Sequence, residues 1–136
     1  MDIRYGPRSI LCDGTILSSE QCSRPPSITF FTMKPDRNYT FLLFDPDAVH
    51  GNKIHWLIVN HSVNNTGDCI FPYVGPNPPK RTGYHCYHFV LIRQDQKIDP
   101  IPFLDRRHME LSELFRKLGF TFFDVLHQTC FYTRAQ

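Results

Sequence analysis

Two packed antiparallel β-sheets with a single helix, a mainly β class, is the fold this sequence predicts, and three observations carry it. Short runs rich in Phe, Ile, Val and Tyr recur between turn residues. Proline (11 residues) and phenylalanine (12 residues) are abundant, and proline at this density punctuates short strands and disfavours long helices. Finally, only "MELSELFRKLGF" places its apolar residues at helical spacing. Many strands with one helix bury their apolar faces best by packing sheet on sheet.

Taken in order, the strands are expected at 28–33, 39–44, 54–60 and 87–93. "KPDRN" at 34–38 reads as a hairpin connection between the first two. The runs "FLLF" and "WLIV" are almost continuously apolar, which predicts burial on both faces. Leu111, Leu114, Phe115 and Leu118 share one helical face, Arg116 and Lys117 stand in the last turn, and Gly119 supplies a stop. This predicts a surface helix of about three turns. Leu114 and Phe115 should be core contacts. Arg106, Arg107, Arg116 and Lys117 should be exposed, where they can meet an acidic partner or an anionic lipid surface. A late strand at 129–133 completes the sheet.

The chain has 136 residues, 41% of them hydrophobic, which suits one domain over 1–136 with its own core. No apolar run approaches the roughly 20 residues of a membrane span. The opening "MDIRYGPRSI" lacks an apolar signal region, so a cytoplasmic protein is expected. A formal net charge of +2 is too small to argue for nucleic acid, which is not expected as a partner, or for an anionic membrane. The five cysteines, Cys12, Cys22, Cys69, Cys86 and Cys130, are odd in number and form no CxxC pair. They read as thiols kept reduced. Asn-x-Ser/Thr triplets begin at Asn38, Asn60 and Asn64, and without a signal region they read as chance matches.

Polar residues concentrate in two stretches. In "FDPDAVHGNKIHW", Asp45 and Asp47 follow one apolar run and His55 sits inside the next. In "YVGPNPPKRTGYHCYHF", a Gly/Pro loop leads to His85, Tyr87 and His88. His85 and Tyr87 are two apart and so share a strand face with Phe89, while Cys86 and His88 take the other. The loop offers backbone N–H groups at Gly75 and Asn77, a setting that suits an anionic group. A carboxylate beside an imidazole can orient it and favour its protonated form. Aspartates after a strand also cap turns, and a strand histidine can be a satisfied core residue. Spacing alone leaves both readings open.

Enzyme chemistry has little support. Acid–base groups are present, but no nucleophile elbow, phosphate-binding P-loop or metal signature occurs. Cys86 is turned away from His85 by strand alternation. His85 and His88 lie on opposite strand faces, which argues against shared coordination. No catalytic residue, metal or cofactor is therefore expected.

"RPPSITF", "YTFLLFDPDA", "IHWLIVN" and "YVGPNPPKRTGYHCYHFVLI" occur in that order. Together they resemble the phosphatidylethanolamine-binding protein family, which includes the Raf kinase inhibitor proteins. The likeness extends from about Asp13 to Thr133. It implies a central antiparallel sheet packed on a smaller one in a Greek-key manner, with short peripheral helices. It implies a pocket for anionic or phosphorylated ligands, such as a phospholipid headgroup, formed by Asp45, Asp47, His55, Gly75, Pro78, Pro79, His85 and Tyr87. It also implies an alternative role, a regulatory protein that binds and inhibits a kinase or protease, and it leaves room for peripheral membrane association and for a homodimer.

Three departures stand out. Val49 follows "DPDA" where the family has proline. Cys86 replaces the arginine of the family's H-R-Y element, which removes a charge and five donors. One aspartate then needs another partner, and Arg81 is the candidate. Lastly, "TCFYTRAQ" ends the sequence where other members continue into a C-terminal helix, so the pocket is expected to be more open, or to be covered by a second subunit.

Overall fold

The structure is a computed structural model that describes residues 1–10, 14–31, 33–49, 51–100 and 107–135. Nine strands are present among them: β1 (Asp2–Tyr5), β2 (Arg8–Ser9), β3 (Thr15–Ile16), β4 (Ser27–Thr29), β5 (Asn38–Asp45), β6 (Lys53–His61), β7 (Asp68–Phe71), β8 (His85–Gln94) and β9 (Val125–Thr133). One helix, α1 (Leu111–Leu118), and a 3₁₀ turn, Phe122–Asp124, precede β9. The smaller sheet has the order β2-β1-β4 and the larger β3-β9-β8-β5-β6-β7. β5, β6 and β7 form a meander and β8 returns beside β5, which is the Greek-key arrangement.

β5 is flanked by β6 and β8, and all of its residues from Tyr39 to Asp45 are buried. Its side chains alternate between two cores, as the unbroken "FLLF" run predicts. Phe41 and Leu43 join Tyr87, Phe89 and Phe131 beneath Ile3, Tyr5 and Ile10 of the smaller-sheet region. Leu42 and Phe44 join Val90 and Ile92 beneath Leu114, Phe115 and Leu118 of α1. α1 ends at Gly119, whose φ of 78° is left-handed, a conformation glycine adopts without a Cβ penalty.

Several expectations change. β4 stops at Thr29 and pairs with β1, so 34–38 carries the chain from one sheet to the other and is not a hairpin. Phe30, the next residue, places its ring against Phe41 (6.0 Å) and His61 (5.2 Å), which covers the larger sheet. Not every pair is antiparallel: β3 runs parallel to β9, with Thr15 opposite Phe131. Helix α1 has eight residues, just over two turns. Arg116 and Lys117 are exposed. Arg107 is half-buried instead, with its guanidinium donating to the carbonyls of Ile54 (3.1 Å) and Pro72 (3.3 Å) and lying over the Phe71 ring. Arg106 and Cys12 lie outside the described residues. Cys22, Cys69, Cys86 and Cys130 form no disulfide among the described residues. No described helix is long and apolar enough to cross a membrane.

Candidate functional site

The C-terminal end of β5 meets the start of β8, and two aspartates hold the junction. Asp45, 3% exposed, accepts the Asp47 backbone N–H at Oδ1 (2.8 Å) and the Nδ1–H of His85 at Oδ2 (2.7 Å). Asp47 accepts the backbone N–H of Cys86 at Oδ2 (2.9 Å). The first contact is the local turn that Asp commonly makes after a strand. The other two tie that turn across to β8. Asp47 thus has the Cys86 backbone N–H as its partner. Arg81, with a left-handed φ of 66°, is exposed and forms no ion pair among the described residues.

His85 is 2% exposed and uses both ring nitrogens: Nδ1 on Asp45, and Nε2 within 2.8 Å of the Thr82 hydroxyl. Thr82 in turn donates to the Pro79 carbonyl (2.7 Å), so the Gly/Pro loop is fastened to β8. The carboxylate–imidazole pair expected from the sequence therefore forms, with His85 as its imidazole.

His55 is arranged differently. Its Nδ1 lies 2.7 Å from the Val74 carbonyl. A carbonyl only accepts, so Nδ1 carries the proton. Burial lowers the pKa of this imidazole from 6.5 to about 4, the Val74 contact offsetting only part of the effect. His55 is therefore neutral near pH 7, and Nε2 presents a lone pair. That Nε2 is buried and has no hydrogen-bond partner among the described residues. Its one N–H is engaged by Val74, and its other nitrogen is placed to accept.

Tyr87, 1% exposed, packs between these histidines. Its ring is edge-on to His55 (5.2 Å), and it stacks on His85 (6.4 Å) and Phe131 (5.4 Å). Burial first, then the Asp45 charge, pushes the phenol far above its ordinary range, so the hydroxyl keeps its proton.

These groups line a cavity of about 310 Å³. Of the residues anticipated from sequence, Asp45, His55, Pro78, Pro79, His85 and Tyr87 are in its wall. Asp47 and Gly75 are not in the wall. Gly75 serves close packing: a Cβ there would stand 2.8 Å from the Cys22 carbonyl oxygen and 3.0 Å from the Ser23 Cα. The cavity also takes in Asn77, whose loop the sequence marks as suited to an anionic group, and Val49 after "DPDA", together with Lys53 and His108, which sequence reasoning missed. Lys53 was findable, since it precedes His55 by two on β6 and so shares its face. His108 was not. It reaches the rim through an isolated bridge to Lys53 from a segment more than fifty residues away.

Comparison with known proteins agrees with this architecture. A family model described as phosphatidylethanolamine-binding protein matches residues 7–120. A Drosophila melanogaster relative, "Putative odorant-binding protein A5", is 34% identical over 103 residues, which cover 70% of this chain and 46% of that protein. The chain thus spans less than half the length of this curated relative. Among solved structures, a carboxypeptidase Y inhibitor complexed with its cognate proteinase superposes with a TM-score of 0.81 at 17% identity, covering 99% of this chain and 82% of that one. The phosphatidylethanolamine-binding protein from Plasmodium vivax gives 0.78 at 17% identity, covering 99% and 84%. At such identities the superpositions speak for the fold, and the sequence matches speak for the family. On the match over residues 7–120, the chain belongs to the phosphatidylethanolamine-binding protein family.

Proposed function

We propose that the chain is a binding module that takes a small phosphate-bearing ligand, a phospholipid headgroup or another phosphorylated group, in the cavity between β5, β6 and β8. The observation that carries this reading is the orphaned Nε2 of His55 in the wall of that cavity. A buried polar atom without a partner costs about 1–3 kcal/mol, and a ligand donor removes that cost. Around it stand groups of complementary kind: the protonated Tyr87 hydroxyl, the Lys53 ammonium and Asn77. A ligand that offers one donor and an anionic oxygen, such as phosphoethanolamine or a monohydrogen phosphate, satisfies all of them. The Asp45–His85 pair acts at one remove, by fixing the wall against which the ligand rests.

Calorimetric titration with phosphoethanolamine, and separately with inorganic phosphate, tests this. One site per chain is expected. Tyr87→Phe should weaken binding by about 10–100-fold, the value of one hydrogen bond to a charged group. Unchanged binding in folded Tyr87→Phe and folded His55→Gln would reject the reading.

A second reading, a regulatory protein that holds a protein partner such as a protease or kinase, is favoured by one surface feature. Phe122 and Phe123 are adjacent on the 3₁₀ turn and 72% and 90% exposed, and exposed aromatic residues are common anchors in interfaces. Inhibition of carboxypeptidase Y by the parent, lost in Phe123→Ser, would support it. An inert parent would remove this protease from consideration.

A further inference from the structure

We propose that Cys86, His88 and Cys130 form a binding site for a thiophilic divalent cation of the Zn²⁺ class, on the face of the larger sheet opposite the cavity. The Cys Sγ atoms and a His88 ring nitrogen all lie within 4.8 Å of one another. Sheet register produces this grouping. His88 on β8 is directly opposite Cys130 on β9, and Cys86 precedes His88 by two residues on the same face. The sequence gives no hint of it, because the third ligand comes from a strand more than forty residues on. Zn–S bonds of about 2.3 Å in a tetrahedral site put two sulfurs roughly 3.8 Å apart. Side-chain rotation of less than about an ångström per ligand therefore closes the site.

The surroundings suit a cation. The Phe44 ring stacks on His88 at 5.2 Å, and the Gln128 amide nitrogen donates to His88 Nδ1 at 3.1 Å; a half-turn of that amide lets its oxygen accept an Nδ1–H instead and leaves the Nε2 lone pair for the ion. Partners of this kind set the orientation of a ligating imidazole. Two thiolates and a neutral imidazole around one divalent ion make a neutral assembly, which limits the cost of its partial burial. Soft sulfur with imidazole favours zinc or copper over magnesium or calcium. Binding releases two thiol protons to the solvent and leaves the fourth position to water. A Cys86–Cys130 disulfide fits less well. The two are diagonal neighbours on adjacent strands, at a Cα spacing of roughly 7–8 Å, beyond the span of an unstrained bridge.

The test uses the full chain, reduced and stripped of metal, titrated with Zn²⁺ against a chromophoric chelator and separately with Co²⁺ alone. One ion per chain is expected, with a thiolate-to-cobalt charge-transfer band and tetrahedral ligand-field absorption. Cys86→Ser and His88→Gln should each weaken binding by about 100-fold or more, and Gln128→Ala by about 10–100-fold. Cys69→Ser should bind like the parent. Cys130 is buried, so Cys130→Ser is judged only if its circular dichroism matches the parent. The half-buried Cys86 and His88 variants carry the test in any case. Absence of a charge-transfer band in folded protein overturns the proposal. So do binding unchanged in both Cys86→Ser and His88→Gln, and a mapped Cys86–Cys130 disulfide that takes up no metal after reduction.

Discussion

His55 and Gly75 show how a single position is governed by its surroundings. His55 is neutral because its imidazole is buried and its Nδ1–H is committed to Val74. Its pKa is about 4 folded and 6.5 unfolded. Between those values the unfolded chain binds a proton that the folded chain refuses, so stability is lost as pH falls through that window. The parent should lose roughly 2–3 kcal/mol more than His55→Gln between about pH 7.5 and pH 4.5. Urea unfolding at several pH values measures this, and coincident profiles would contradict the neutral assignment. At Gly75 the constraint is steric. Gly75→Ala should destabilise by about 1–3 kcal/mol, because the methyl meets the Cys22–Ser23 backbone, which has little room to retreat. Thermal unfolding of the variant checks it.

Helix α1 and strand β8 are elements whose two sides do different work. α1 buries Leu114, Phe115 and Leu118 against the larger sheet and leaves Arg116 and Lys117 in solvent. Leu114→Ala should therefore cost about 2–5 kcal/mol. Arg116→Glu with Lys117→Glu should change stability by no more than about 0.5 kcal/mol each. Denaturant midpoints at constant m-value separate the two cases. β8 presents His85, Tyr87 and Phe89 to one side and Cys86 and His88 to the other. Asp47 grips the Cys86 backbone between those faces. With Asp45 held on His85, both aspartates have a partner on β8.

At the scale of the whole molecule, the two cores on either side of β5 make access to the interior a matter of cooperative opening. Cys22 is buried and Cys69 exposed, and burial raises the pKa of both thiols, the partner-rich Cys22 included. In native protein Cys69 should react with a thiol reagent ahead of Cys22. Cys22 should react only at the rate set by global unfolding. Rapid native labelling of Cys22, mapped by mass spectrometry, would show that the smaller-sheet region opens on its own.

Local pattern determined the central strands, the helix and most of the cavity wall. The runs at 39–44 and 54–60 and the spacing of Leu111, Leu114, Phe115 and Leu118 each carry their own period, so β5, β6 and α1 were readable within a residue or two. His85 and Tyr87 were readable as neighbours in the cavity wall from face-sharing, and Asp45 and His55 from the compound family pattern. Strands of two to four polar-mixed residues, β1, β2 and β3, were not, since so few residues hold no period and exist only by pairing. The partner of Asp45, the tautomer of His55, the reach of His108 and the meeting of Cys86 and His88 with Cys130 were decided by tertiary structure alone. Each depends on which strand lies beside which. That is set by the summed burial of two cores and by hydrogen bonds between residues far apart in the chain, and no local stretch of sequence contains it.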